Sequence, residues 1–313
     1  MNNTQERYYS LNSYCKEIFG EKVYRLSLNG GMTCPNRVGS LSYGGCAFCS
    51  AGGSGDFAAD YDVSISAQLS SAKKRIQAKT NCSKFIAYFQ AYTNTYAPVA
   101  HLRRIFTEAI QEPEIVALSI GTRSDCLSEE ILDLLEELNN YKPVWIELGL
   151  QTIHNHTLKQ MNTHTTVEQF DTAVHQLHSR GISVIAHAIL GLPDETKDMM
   201  LQTIIHVSSL PVSGIKLQLL HILKGTALAN MYQTKPFHCF ELEEYCDFVV
   251  DCLELLPSNM VVHRMTGDGP RSLLLAPLWS TDKKRVLNTI QRRLKERNTY
   301  QGRLFPDKIN SEK

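Results

Sequence analysis

Three cysteines fall within seventeen residues in "TCPNRVGSLSYGGCAFC", residues 33–49. Cys46 and Cys49 form a Cys-x2-Cys pair, and Cys34 stands upstream with eleven residues between it and Cys46. Thiols at this spacing could close a disulfide, hold a zinc ion or ligate an iron–sulfur cluster. The chain has nine cysteines. In a reducing compartment a tight cluster of them binds metal or does chemistry more often than it forms disulfides. A structural zinc site closes four ligands, usually from two paired knuckles. Only one Cys-x2-Cys pair is present, so a fourth ligand would have to come from Cys15, Cys82, Cys126 or a histidine. A cubane cluster normally takes four thiolates, so three on one loop leave one iron free for a non-protein ligand, the open position that a catalytic cluster needs.

The elements that must position this loop can be read from the apolar rhythm. Short β-rich runs alternate with longer helical patterns, which predicts βα units around a parallel sheet. Strands are expected at 22–30, 84–91, 115–122, 144–151, 183–191 and 214–222, and helices near 63–79, 98–111, 128–140, 166–180 and 195–209. Asp, Ser, Thr or Pro near several helix starts serve as entry signals. After residue 222 the rhythm breaks into a helix near 241–256, a strand-like "MVVHRM" at 260–265 and a basic helix. The expected class is α/β: a partial (β/α)6 TIM-like barrel over residues 1–222 and a C-terminal α/β extension over 223–313. A length of 313 residues suits one such barrel with an extension better than two small domains.

In parallel α/β folds reactive groups gather at the carboxyl ends of the strands. The predicted ends bring Gly30, Gly31 and Cys34 after strand one, Gln90, Thr93 and Asn94 after strand two, and Thr122, Arg123 and Asp125 after strand three. Glu147 and Gln151 lie on strand four, His187 on strand five and His221 after strand six. The cysteine loop then sits over a barrel opening. Glu147 is a carboxylate inside an apolar strand, which calls for a partner, either a bound ribose or a buried cation. Arg123 could grip a carboxylate or phosphate bidentately or form a structural salt bridge. Cys126 follows Asp125 near the mouth, as a thiol hydrogen donor, a substrate-linking nucleophile or a spectator. Cys239, Cys246 and Cys252, with six and five residues between them on a predicted helix, read as buried thiols rather than a second cluster. "GGSGD", residues 52–56, lacks the Gly-Lys-Ser/Thr of a phosphate loop and reads as a loop beside the cysteines.

Hydrophobic residues at 43% and charged residues at 20% fit a soluble globular chain rather than a disordered one. No apolar run approaches eighteen residues, and the opening "MNNTQERYYSLNSYCKEIFG" lacks the apolar centre of a signal peptide, so a cytoplasmic protein with no membrane partner is expected. Lys plus Arg equals Asp plus Glu, 32 each, so any polyanion-binding face must come from local clustering. Residues 283–303 hold eight basic residues against Glu296 alone, a net +7 stretch, with Val286, Leu287, Ile290 and Leu294 at helical spacing. Lys283, Lys284, Arg285, Arg292 and Arg293, with the pair His263 and Arg264, are either solvated surface or contacts to RNA phosphates.

The cysteine loop, placed straight after the first strand, resembles the cluster motif of the radical S-adenosylmethionine (SAM) superfamily in a widened Cys-x11-Cys-x2-Cys form. The likeness continues through "CSAGGSGDF", "YFQAYTNTYAP", "SIGTRSDCL", "ELGLQT", "GLPDET", "LHILKGT" and "HRMTGDGP". From about Tyr8 to Phe305 the chain is similar to a small bacterial family related to the radical domain of the Elongator catalytic subunit and to the anaerobic coproporphyrinogen oxidases. The resemblance implies a partial barrel of the radical SAM type in which Cys34, Cys46 and Cys49 ligate three irons of a [4Fe-4S] cluster and S-adenosylmethionine chelates the fourth. One electron, from a reduced flavodoxin- or ferredoxin-type donor, would release a 5′-deoxyadenosyl radical, the protein supplying geometry and exclusion of water.

The same resemblance implies Phe48 beside the adenine, Gln90, Thr93 and Asn94 near the methionine amino group, and Gln151 on the cofactor, with Glu147 a candidate for its ribose and Arg123 for its carboxylate. One departure stands out. After "ELGLQT" the family shows Asn-Arg, a small residue and His, whereas this chain reads "MNTHTT", with Thr163 in place of the arginine and His164 shifted by one. Neither family residue carries over. Kinship to the Elongator subunit points to tRNA as partner and to the 5-substituent of its wobble uridine, such as a carboxymethylaminomethyl group, as target. A radical enzyme acting on a small molecule would share every cluster residue. A noncatalytic, zinc-stabilised RNA-binding protein would account for the cysteines and the basic helix without turnover.

Overall fold

The computed structural model describes residues 6–53, 55, 63–267 and 269–305. In chain order its elements are α1 (Leu11–Phe19), β1 (Tyr24–Leu28), α2 (Ile65–Gln77), β2 (Phe85–Phe89), α3 (Val99–Ile110), β3 (Ile115–Thr122), α4 (Glu129–Asn139), β4 (Val144–Gln151), α5 (Asn155–Gln160), α6 (Val167–Ser179), β5 (Ser183–Leu190), α7 (Lys197–Ser209) and β6 (Gly214–Leu219). Then come β7 (Ile222–Leu223), α8 (Ala227–Thr234), α9 (Leu242–Leu255), β8 (Val261–Arg264), β9 (Leu274–Ala276), a 3-10 turn and α10 (Lys283–Glu296). The sheet order is β1-β2-β3-β4-β5-β6-β8, every neighbour parallel. This curled half-barrel bears out the expected α/β class.

Side-chain parity separates the two faces of the sheet, because successive residues of a strand point to opposite sides. Phe85, Ala87 and Phe89 of β2, Leu118 and Ile120 of β3, and Val144, Ile146 and Leu148 of β4 join the helices in one buried core. The alternate residues point inward. Ile86, Ala117, Trp145 and Ile185 form an apolar plug, closed by Tyr14 and Phe19 of α1. Above the plug the inward positions become polar, and they carry the site.

The six expected strands are present with tighter ends. The sixth stops at Leu219, after which Ile222 and Leu223 leave the sheet to pair antiparallel with β9. The strand-like run after residue 260 is β8, hydrogen-bonded to β6 with Lys216 opposite Arg264. A boundary drawn at residue 222 therefore runs beside a continuous sheet. Helix entries follow the side-chain chemistry: Ser64, Thr166, Thr196 and Thr226 each cap the helix they precede, Thr166 in a reciprocal capping box with Gln169. Among the described residues no helix is long and apolar enough to cross a membrane.

Candidate active site

The widened cysteine spacing folds away as a small hairpin. Cys34 O accepts from the amides of Arg37 and Val38, Gly39 N donates to Ser42 O, and Val38 pairs antiparallel with Tyr43. Gly44 and Gly45, at φ of 87° and 84°, turn the chain back in a conformation that favours glycine. A Cβ on Gly45 would lie 2.9 Å from Arg37 Nε. The hairpin thus returns Cys46 to the side of Cys34, and a turn closed by Cys49 N to Cys46 O sets the last thiol.

The segment that departs from the family pattern clamps this loop. Ala47 N donates to Met161 O at 2.8 Å, Asn162 Nδ2 to Gly45 O at 2.9 Å, and Asn36 Nδ2 to Asn162 O. From the other side, Leu228 N of α8 donates to Ala47 O. Arg123 Nη1 donates to Thr163 O at 2.8 Å while its Nε and Nη2 grip both oxygens of Asp125 at 2.8 Å. A cation therefore does sit against Thr163, supplied from the end of β3. His164 is exposed and bonds Asn162.

Cys34, Cys46 and Cys49 line one cavity of about 220 Å³, shared with Phe48, Gln90, Thr93, Arg123, Glu147 and Gln151. The structure brings these sequence-predicted residues together. Asn94 and Cys126 are not on its wall. Asn94 is fully buried and donates to Gly121 O at 2.8 Å, tying the β2 loop to β3. Burial, with the Asp125 carboxylate adding, pushes the Cys126 thiol up to about 12. Burial of this kind favours the neutral thiol over the thiolate. Gln151 adopts φ 70° at the end of β4, where the pairing with β5 slips by a residue, and its amide folds over Gly149, whose missing Cβ leaves the space.

The thiols suit an iron–sulfur group by their chemistry. Hydrogen bonding from Cys49 brings the Cys46 thiol down to about 7 against the pull of burial, with Arg123, Asn36 and Arg37 adding to it. Asn36 Nδ2 lies 3.5 Å from Cys46 Sγ. Arg37, held by the carbonyl oxygens of Cys49 and Ser50, stands over the Tyr92 ring. Thiolates are the ligating form, and nearby cations favour them. Among the described residues no three His, Cys, Asp or Glu side chains are set to hold one metal ion; the three thiols border a shared space.

Below the mouth lies a layer of charge of which sequence reasoning had assigned only Glu147 and His187 to the barrel. Glu147 is fully buried and is met by Ser119 Oγ at 2.9 Å, His187 Nε2 at 3.0 Å, Arg25 Nη2 at 3.3 Å and the Lys216 ammonium. Lys216 Nζ also donates to Tyr88 OH at 3.1 Å, and Arg25 Nη2 donates to His263 Nδ1 at 2.7 Å. Burial works against the Glu147 carboxylate, but Lys216, Arg25 and His187 overcome it and hold the group well below the usual range. Burial takes His187 down to about 4, with Lys216 adding, and so leaves it a neutral donor. The signal in the sequence was parity: Arg25, Tyr88, Glu147, His187 and Lys216 all fall on inward positions of apolar strands.

The RNA-contact candidates do not form one face. His263 packs edge-on to Trp145 inside the barrel, and Arg264 lines the cavity. Arg292 and Arg293 are engaged by Glu243 of α9 at 2.9 and 2.8 Å, Arg293 also by Asp247 at 3.2 Å. The acidic stripe of α9 thus absorbs much of the charge of α10. Lys283, Lys284 and Arg285 remain exposed at the start of that helix. Of the "GGSGD" loop, Ser54 and Asp56 lie outside the described residues.

Residues 34–206 match the Radical SAM superfamily and residues 212–296 the Radical SAM C-terminal domain. The chain belongs to the radical SAM superfamily and has the enzyme fold of that class. It is 44% identical over 303 residues to the Bacillus subtilis protein YtqA, covering 97% of this chain and 94% of the relative. The Escherichia coli protein YhcC is 37% identical over 279 residues, 89% of each. Among solved structures, the archaeal Methanocaldococcus infernus Elp3 with an N-terminal deletion superposes with a TM-score of 0.69 at 17% identity, over 89% of this chain and 64% of that one.

Proposed function

We propose that the protein is a radical SAM enzyme in which Cys34, Cys46 and Cys49 hold a [4Fe-4S] cluster and the neighbouring wall holds S-adenosylmethionine. The observation that carries this is the single cavity shared by the three thiols, Phe48, Gln90, Arg123 and Gln151 at the carboxyl ends of parallel strands. When bound, the cluster and SAM supply a 5′-deoxyadenosyl radical that removes hydrogen from a substrate. The chain's own part is to place and shield. Asn36 and the two arginines favour thiolates, the Met161–Thr163 clamp fixes the loop, and Arg123, already oriented by Asp125, presents a fixed cation to a carboxylate. Gln90 and Gln151 offer amides from the ends of β2 and β4. The polar layer below gives a substrate group somewhere to lodge out of water.

For the substrate, we infer the 5-substituent of the tRNA wobble uridine, on the resemblance to the Elongator subunit. Lys284 and Arg285 are exposed at the start of the basic helix, where phosphates could reach them.

Anaerobic reconstitution tests both levels. About four irons per chain and formation of 5′-deoxyadenosine with dithionite and SAM, both lost in Cys46→Ala, are expected; zinc without iron and no product would exclude the radical chemistry. For the substrate, tRNA from a deletion strain should carry an altered wobble nucleoside, and an unchanged nucleoside profile would remove tRNA from the proposal while leaving the cluster chemistry intact.

A further inference from the structure

Asn36 is fully buried in the cysteine hairpin, two residues after Cys34. Its Nδ2 lies 3.5 Å from Cys46 Sγ and also donates to Asn162 O. An amide nitrogen carries two protons, so each contact takes one of them. Both partners are acceptors, which fixes the carboxamide with its nitrogen toward the sulfur, because the reversed amide would set three acceptors together. The oxygen gains nothing from this arrangement. Asn36 Oδ1 accepts no hydrogen bond among the described residues, and a buried acceptor left unsatisfied is costly and calls for a reason. The reason lies at the other end of the amide. Nor can that donor swing away, since Asn162 sends its own Nδ2 to Gly45 O at 2.9 Å and Gly45 N returns to Asn36 O at 2.8 Å. The three bonds form a closed ring beside Cys46, which follows Gly45 in the chain. Asn162 takes its part in the ring at φ 54°, a left-handed conformation that asparagine tolerates better than most residues.

We propose that Asn36 tunes the reduction potential of the iron–sulfur cluster through an N–H bond to the Cys46 thiolate, held in place by the ring with Asn162 and Gly45. The inference rests on the cluster reading given above and adds to it a positioning residue that acts through a ligand. Hydrogen bonds to ligand sulfurs are among the levers by which a protein sets the potential of such a group. The electron that enters comes from the reduced flavodoxin- or ferredoxin-type donor, and the amide keeps its proton throughout. Added negative charge is shared by the sulfurs, so a fixed N–H favours the reduced state over the oxidised one. Removing the donor makes the cluster harder to reduce and moves its midpoint potential to more negative values. A purely structural clamp would move the stability of the loop and leave the potential alone.

The test is a redox titration of the reconstituted protein, followed by the EPR signal of the reduced cluster, in the wild type, Asn36→Ala and Asn162→Gly. Iron content and thermal midpoint are measured on the same samples. In Asn36→Ala the ratio of reduced to oxidised cluster at a fixed potential should fall by about threefold or more. Asn162→Gly breaks the tie to Gly45 O but keeps the backbone carbonyl and the Asn36 amide, so its potential should stay at the wild-type value even where its thermal midpoint falls. An unmoved potential in Asn36→Ala, or equal shifts in the two variants, overturns the proposal. If Asn36→Ala takes up no cluster, wild-type protein carrying the heavy nitrogen isotope in its asparagines decides the matter. Its reduced cluster should show coupling to that nitrogen in pulsed EPR, and no coupling overturns the proposal. A wild type that binds no iron overturns the cluster reading and this inference together, whereas iron bound with an unmoved potential overturns this inference alone.

Discussion

Glu147 shows how one side chain can organise a barrel interior. Its two oxygens are shared by a hydroxyl, an imidazole, a guanidinium and an ammonium drawn from four other strands. Each contact is made to a carboxylate buried from solvent, so each is stronger than at a surface and more costly to break. The histidine in this set makes the arrangement sensitive to acid. Burial lowers its folded-state value from the ordinary 6.5 to about 4, so between those limits the unfolded chain binds the extra proton and stability falls as pH falls. Full titration corresponds to a loss on the order of 3 kcal/mol. His187→Gln keeps a donor to Glu147 and removes the titration. The fall in thermal midpoint from pH 6.5 to pH 4 should therefore be shallower in the variant, and identical slopes would contradict this account.

At the scale of elements, α9 and α10 illustrate why a basic helix need not be a binding face. Val286, Ile290 and Leu294 bury one stripe of α10, and that orientation lays its arginines along the acidic flank of α9. The ladder ends at Glu254, which is 2% exposed and accepts from Arg297 Nη2 at 2.9 Å and Arg303 Nε at 2.7 Å, as well as from Thr299. The outer pairs are exposed to solvent and worth little; the inner acceptor is not. Glu254→Gln should cost about 2–4 kcal/mol in urea unfolding, and Arg292→Ala less than about 1 kcal/mol. Equal effects would show that burial does not set the worth of these pairs. The same helix pair leaves Lys284 and Arg285 exposed at the start of α10.

At the scale of the whole molecule, the C-terminal part is a member of the barrel. β8 covers the edge of β6 and contributes Arg264 and His263 to the interior, while α9 packs against α7 and α10. A chain ending at residue 222 would expose the β6 edge, and unpaired strand edges recruit other chains. It would also leave Lys216 and Arg25 without their β8 neighbours. Such a fragment should be recovered aggregated, with no cooperative thermal transition, while the full-length chain unfolds cooperatively. A soluble, cooperatively folding fragment would support the boundary that the break in sequence rhythm suggests.

The sequence by itself determined the alternation of strands and helices, the polar strand ends and the cysteine loop, because apolar period and turn chemistry are local properties. Gln90, Arg123 and Gln151, which line the cavity with the thiols, were legible for the same reason, since they follow strand positions that can be counted, and Phe48 was implied by the family resemblance. Tertiary structure alone decided the rest. Whether Arg264 points to solvent or into the barrel depends on β8 joining β6, and whether Arg292 is available depends on the acids of α9, with Glu243 lying 49 residues away in sequence. Lys216 and Arg25 looked like ordinary strand polarity until curling brought five strands to one carboxylate. Charge acts through space, and the distances that govern it exist only once the sheet has closed.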